Sequence, residues 1–267
     1  MAARMKHLLD LDRFPLDAPD SARGRSLLAG CRQELQSAGM FSLEGLILPE
    51  ALERCIDELG PLFEAAAFTH CREHNIYFDD AIRDVPPDHP ALRRFSTINH
   101  TICADQIPSS PIAQIYAWQP LIDFLAAAMD KPRLYPMADP LARINVMAYG
   151  AGEQLNWHFD RAEFTTTCLL QAPLAGGVFQ YRNGLRSDTD PNYDGVGRLL
   201  AGEDGFVRSL PLAPGTLNVF KGKNTAHRVT PVEGNRARIV AVFSYFEEPD
   251  VAFTEEERLG FYGRTGK

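Results

Sequence analysis

Cysteine is scarce and unpatterned in this sequence. Five residues, Cys31, Cys55, Cys71, Cys103 and Cys168, are scattered along the chain, odd in number and without a Cys-x-x-Cys spacing. Such a set excludes a disulfide framework and a thiolate zinc site, so the thiols are expected to be reduced and partly buried. Positive charge is also in short supply: 27 Lys and Arg stand against 35 Asp and Glu, a formal net charge of -8. Nucleic acids and anionic membranes need clustered Lys and Arg. Both are therefore set aside as partners, and a small-molecule substrate is expected. Long apolar runs are missing, since no segment approaches the roughly 20 residues of a membrane span. The first ten residues also lack the apolar stretch of a leader, so a cytoplasmic setting is expected. Oligomeric state is left open. No repeat, low-complexity tract or convincing linker interrupts the 267 residues, of which 45% are hydrophobic. One domain spanning 1–267 is expected.

The chain divides by periodicity. Residues 1–20 are mixed and punctuated by proline, and are expected to wrap the surface. Leu27, Leu28, Cys31, Leu35 and Ala38 recur at helical spacing between Ser21, a fitting N-cap, and Gly39, a fitting stop. A short strand over 40–48 leads to Pro49, which suits the first turn of a helix running to about Ala67. The stretch Thr69–Cys103 is irregular, polar and aromatic, and part of it is expected to form a wall of the substrate pocket. A helix over 112–129 is divided at Pro120. Residues 1–132 thus read as a mostly helical elaboration. From Arg133 to 246 the pattern becomes strands separated by Gly, Pro and Asn turns, as in a jelly-roll or barrel. In that region Phe164–Leu170 and Val178–Tyr181 read as a strand pair. Residues 183–205, polar and glycine-bearing, read as a lid-like insertion with a short helix, and the acidic end after Phe246 reads as peripheral.

The chemistry concentrates in Leu155-Asn156-Trp157-His158-Phe159-Asp160. On an extended segment, residues two apart project to the same side. His158 and Asp160 can therefore share one metal ion. A second imidazole arrives at His227, followed by the arginine-bearing apolar strand Arg236-Ala237-Arg238-Ile239-Val240-Ala241-Val242. A His-x-Asp, a distant His and a later Arg form the sequence signature of a 2-His-1-carboxylate triad, which leaves positions on Fe(II) open for a co-substrate and oxygen.

The triad order, with Gly215–Phe220 and His227–Gly234, resembles the Fe(II)/2-oxoglutarate-dependent oxygenases. More narrowly, Asn75-Ile76-Tyr77-Phe78-Asp79, Asp88-His89-Pro90, Arg133–Pro140, Trp157-His158-Phe159-Asp160 and Ile239–Tyr245 resemble the BesD/HalD-type group of amino-acid halogenases and hydroxylases. The resemblance covers most of the chain from about residue 70. It implies a double-stranded β-helix core flanked by N-terminal helices, with Fe(II), 2-oxoglutarate and O2 as cofactor and co-substrates. Arg238 would hold the distal carboxylate of 2-oxoglutarate bidentately, with Arg236 as competitor. Tyr149, Asn145, Thr167 and Ser244 are further candidates for that cavity.

For a free amino acid, Arg93 or Arg94 with Asn99 nearby would meet the carboxylate, Glu163 or an acid of the lid the ammonium, and Trp157 would form a wall beside the metal. Halogenases of this group resemble one another in carrying Gly or Ala where the metal-binding carboxylate would stand. Asp160 is present here, so hydroxylation is expected over halogenation, with desaturation or ring closure as alternatives. A protein or peptide hydroxylase and a non-catalytic cupin-like metal-binding protein are the other readings.

Overall fold

The computed structural model describes residues 5–266. Its helices are α1 (Ala22–Ser37), α2 (Pro49–Ala65), α3 (Pro111–Tyr116), α4 (Gln119–Ala128), α5 (Tyr193–Ala201) and α6 (Glu255–Tyr262). Its strands are β1 (Met40–Leu43), β2 (Phe68–His74), β3 (Phe95–Cys103), β4 (Tyr135–Pro136), β5 (Ile144–Tyr149), β6 (Leu155–His158), β7 (Thr165–Gln171) and β8 (Ala175–Gly176). Then follow β9 (Phe179–Arg182), β10 (Arg208–Leu210), β11 (Leu217–Phe220), β12 (Ala226–Val229), β13 (Val232–Glu233), β14 (Arg238–Phe243) and β15 (Tyr245–Phe246).

Helix boundaries follow local chemistry. The Ser21 hydroxyl accepts from the Gly24 amide at the start of α1, satisfying one of the free N–H groups of a first turn. Pro49 occupies the first turn of α2, where its missing N–H costs nothing.

Seven strands form one antiparallel sheet in the order β1-β11-β7-β14-β5-β3-β2, and four form a second, β10-β9-β12-β6. The alternation along each strand decides what the large sheet faces. Phe41, Val146, Ala148, Cys168, Leu170, Val219 and Ala241 point to one side and bury themselves with Leu35, Cys55, Leu59, Ile112 and Leu121 of the helices. On the other side, Met40 and Phe220 meet Phe179, Tyr181 and Val229 of the smaller sheet. This is a mainly β, double-stranded β-helix architecture with helices on its back.

Four expectations need correction. Of residues 1–20, the first four lie outside the described residues, but Met5, Leu8, Leu9, Leu11, Phe14 and Leu16 are core residues, pinned by Leu48 N–H to Leu8 O and Asp10 N–H to Leu46 O. Each such side chain contributes roughly 1.5–3 kcal/mol when fully buried, which outweighs the loose turns around it. Residues 69–103 are not irregular throughout, because β2 and β3 extend the large sheet at its edge; the N-terminal half is thus less helical than expected. The strands β7 and β9 are not partners: β7 pairs with β11 and β14, β9 with β10 and β12. The end after Phe246 is not peripheral, since Phe253, Phe261 and Tyr262 line the cavity that Asp160 also lines. That end is tied down by the fully buried Asp139, which accepts from the amides of Leu141, Ala142 and Phe253 and from Arg258 Nε at 2.7 Å.

Candidate active site and metal centre

β6 and β12 are neighbours, and their register sets His158 directly opposite His227. The two rings lie 4.0 Å apart between centroids. Asp160, two residues past the end of β6, is drawn into the same space by its own amide, which donates to Gly222 O at 3.1 Å, while Phe159 N–H donates to Ile76 O. One ligand atom from each of His158, Asp160 and His227 lies within 4.8 Å of the others. His158 Nε2 is 3.4 Å from Asp160 Oδ1, and His227 Nε2 is 3.4 Å from Oδ2.

The ring tautomers follow from the backbone. His158 Nδ1 lies 2.7 Å from Asn156 O and His227 Nδ1 3.0 Å from Thr225 O. A carbonyl can only accept, so each Nδ1 carries a hydrogen and each Nε2 is the ring atom turned toward Asp160. Burial first, and then the neighbouring His158, lower His227 to about 4, against the opposing pull of Asp160 and of the Thr225 carbonyl. Burial alone would raise the Asp160 carboxyl, but His227, His158 and the Thr165 hydroxyl hold it well below the usual carboxylate range. Two imidazole Nε2 atoms and one carboxylate converging on one point fit Fe(II). Gly222 makes room for them: a Cβ there would overlap Asp160 Oδ2 and Thr165 Oγ1.

Arg238 begins β14 opposite Tyr149 on β5. It is 4% exposed, and burial lowers its pKa to about 10. Its guanidinium has neither an ion pair nor a hydrogen bond among the described residues. Arg236, by contrast, lies outside the strand, exposed, and donates to Pro173 O. Tyr149 is fully buried, with its hydroxyl 3.8 Å from Met147 Sδ. Thr167 shares a cross-strand row with Val242 and Asn218. Ser244 is past the end of β14 and donates to Ala142 O, a structural bond rather than a cavity contact.

In front of Asp160 opens a cavity of about 280 Å³. Its floor is the inner face of β2, β3 and β5, bearing His70, Arg72, His74, Thr97, Asn99, Thr101, Asn145 and Met147, and its roof is Phe253, Phe261 and Tyr262. His74 is a brace. Its Nδ1 donates to Asn75 O and its Nε2 accepts from the Thr97 hydroxyl, which in turn accepts from Asn156 N–H at the start of the metal-bearing strand. Burial lowers its pKa and keeps it neutral. Phe78, with a left-handed backbone at φ 54°, stacks on His74 and presents an edge to His158.

Of the residues expected around a substrate, Asn99 lines this cavity, as does Asn145, which was expected beside 2-oxoglutarate. Arg93 and Trp157 line a different one, on the outer face of β6 and β12, where the Arg228 guanidinium sits over the Trp157 ring. Arg94 is exposed and paired with Asp80 and Glu73. Glu163 pairs with Lys131 at 2.7 Å. Residues 183–205 do not line the cavity in front of Asp160. Val196 and Leu199 of α5 pack with Ile76, Trp157 and Phe159, so the segment backs the metal strands rather than covering the opening. His70, Arg72 and His74, which alternate along β2, belong to the stretch 69–103 that was expected to supply a pocket wall. Arg161, Phe261 and Tyr262 were not foreseen.

The sequence matches the Halogenase D (HalD) family over residues 24–258. Among curated proteins, none matches. Solved structures share the fold. An oxidoreductase of the 2OG-Fe(II) oxygenase family from Burkholderia pseudomallei superposes with a TM-score of 0.53 at 15% identity, over 84% of this chain and 92% of that one. AviO1 from Streptomyces viridochromogenes Tue57 gives 0.56 at 14%, over 84% and 96%. The epimerase SnoN, in complex with Fe3+, alpha ketoglutarate and nogalamycin RO, gives 0.54 at 11%, over 83% and 84%. With its His-Asp-His cluster at the mouth of a double-stranded β-helix, this chain belongs to the Halogenase D family and is an Fe(II)/2-oxoglutarate-dependent oxygenase.

Proposed function

We propose that this chain hydroxylates a free amino acid or a close derivative, consuming 2-oxoglutarate and O2 and releasing succinate and CO2. The observation that carries hydroxylation is the Asp160 carboxylate beside two free Nε2 atoms. A bound negative ligand stands where a halide would need room. When bound, Fe(II) with 2-oxoglutarate and O2 supplies the oxidising power that breaks a substrate C–H bond and delivers oxygen. His158, Asp160 and His227 would hold the metal, and the Nδ1–H bonds to backbone carbonyls keep both imidazoles in the ligating tautomer. Arg238 would take the distal carboxylate of 2-oxoglutarate, since a buried, unpaired guanidinium calls for an anion.

The cavity floor supports the amino-acid reading. Arg72 lines it, half-buried and without an acid partner among the described residues, its guanidinium 4.9 Å from the Phe78 ring centroid. It replaces Arg93 and Arg94 as the cation for a substrate carboxylate. A volume of about 280 Å³ is at the small end for ligand pockets, which favours a small molecule over a peptide.

The test is a screen of free amino acids with Fe(II), 2-oxoglutarate and O2, reading succinate and product mass. Addition of one oxygen to a substrate, abolished in His227→Ala together with iron binding, is the expected result. Chlorinated product from the unaltered protein, or turnover retained by His227→Ala, would overturn the proposal.

A further inference from the structure

The cavity's charge is opposite to that of the molecule. The chain carries a net charge of -8, yet two guanidiniums, Arg72 and Arg161, line the space in front of the metal cluster, beside the imidazoles of His70 and His74, which burial keeps neutral. Among the described residues its only carboxylate is Asp160, which the metal would take. The oxygens of Asn99 and Thr101 can accept from an α-ammonium, but among the described residues no second acid lines the cavity to face a basic side chain.

The two arginines sit at different depths. Arg72 lies over Phe78, whose edge meets His158, so it belongs to the interior. Arg161 follows Asp160 directly in sequence and sits at the mouth, with its guanidinium 6.0 Å from the centroid of Phe261, which also stacks on His70. Its one acid partner among the described residues is Glu257, at 3.4 Å and with Arg161 74% exposed. They meet through Glu257 Oε1 alone, since Oε2 accepts from the amide and hydroxyl of Thr254 to cap α6. So weak and solvated a pair yields readily to a competing anion.

We infer that the substrate carries a second acidic group, on its side chain, and that Arg161 is the specificity-determining residue that receives it while Arg72 holds the α-carboxylate. The substrate class is then the acidic amino acids, those with a side-chain carboxylate or an equivalent anion. This rests on the amino-acid reading above and narrows it. A cavity lined by one sign of charge raises the local concentration of the opposite sign, and a guanidinium fits a carboxylate in two hydrogen bonds. A lysine-like substrate would bring a cation against Arg161 with no acid to receive it.

The experiment separates binding from chemistry. The protein loaded with Fe(II) and saturating 2-oxoglutarate under anaerobic conditions is titrated calorimetrically with aspartate, glutamate, their isosteric amides asparagine and glutamine, and lysine. The expected result is that an acidic member binds about 10- to 100-fold more tightly than its amide, the worth of one charge-assisted contact. Arg161→Glu should erase that preference and Arg161→Lys should retain most of it, with 2-oxoglutarate affinity unchanged in both. Equal or tighter binding of the amides or lysine, no binding of either acid, or an acid preference that survives Arg161→Glu would overturn the inference. Failure of every amino acid to turn over in air would sink the hydroxylase proposal and leave the anaerobic preference to decide this one.

Discussion

Gly222 and Asp160 are in contact such that a single methyl group on Gly222 would overlap the carboxylate oxygen of Asp160 and the hydroxyl of Thr165. The glycine is required by space, not by backbone conformation, because it is absent from the residues with positive φ. Its own carbonyl accepts the Asp160 amide, so the two residues are fixed to each other through the main chain and cannot move apart independently.

Gly222→Ala is therefore expected to displace the Asp160 side chain while leaving both histidines in register on β6 and β12. Iron affinity should fall about 10- to 100-fold, as it does when a group that orients a metal ligand is disturbed. Metal content after anaerobic Fe(II) titration, alongside circular dichroism to confirm an intact fold, checks this. Full iron loading by Gly222→Ala would show that Asp160 is not positioned by this contact.

Asp160→Gly is expected to weaken iron binding further, since one of three protein donors is gone, and to let chloride associate with the loaded protein, because a neutral gap replaces a negative ligand. Chlorinated product should stay scarce: the substrate must also lie nearer the halide than the oxygen donor. Product masses from wild type and Asp160→Gly in chloride buffer decide it. A wild-type product two mass units below substrate would point instead to desaturation or ring closure.

Arg238→Ala should raise the 2-oxoglutarate requirement about 10- to 100-fold, corresponding to a charge-assisted pair of about 1.5–3 kcal/mol. Arg236→Ala, altering an exposed contact with Pro173, should leave it unchanged. The KM for 2-oxoglutarate in both variants is the measurement, and the reverse pattern would transfer the role to Arg236.

Acid should loosen the roof of the cavity through Asp139. Burial alone would raise this carboxyl, but the amides of Ala142, Leu141 and Phe253 and the Arg258 guanidinium outweigh it and hold the folded-state pKa below its ordinary value. A depressed acid contributes stability that is full above the unfolded-state pKa and is lost as pH falls through the folded one. Melting temperature should thus drop for wild type as pH falls below the ordinary carboxylate range, and Asp139→Asn should be less stable at neutral pH with that acid-dependent loss reduced. Identical pH profiles for the two proteins would remove Asp139 from this role.

Much of the site could be read directly because its logic is local. The His-x-Asp spacing places two donors on one side of an extended segment whatever the rest of the chain does, and the cluster His158, Asp160, His227 is what the structure brings together. Ser21 and Pro49 marked helix starts for the same reason, since a cap acts within one turn. The choice between Arg238 and Arg236 was not local. Both share strand parity, and only the end of β14 leaves one buried opposite Tyr149 and the other outside.

The cavity wall was harder to read. On β2 the inner residues His70, Arg72 and His74 alternate with exposed Thr69, Cys71 and Glu73, so both faces are polar and no apolar stripe marks a strand. Leu8, Leu9 and Leu11 looked like a surface arm because their burial depends on the underside of a sheet completed by β11, more than 200 residues later. The roof of Phe253, Phe261 and Tyr262 depends on Asp139 reaching Phe253 and Arg258. The sequence by itself determined which atoms could ligate a metal and where helices begin, because those follow from backbone period and capping within a few residues. Which arginines meet a substrate, which strands pair and what closes the cavity were decided only by tertiary packing, where contacts between segments distant in sequence set burial and therefore charge.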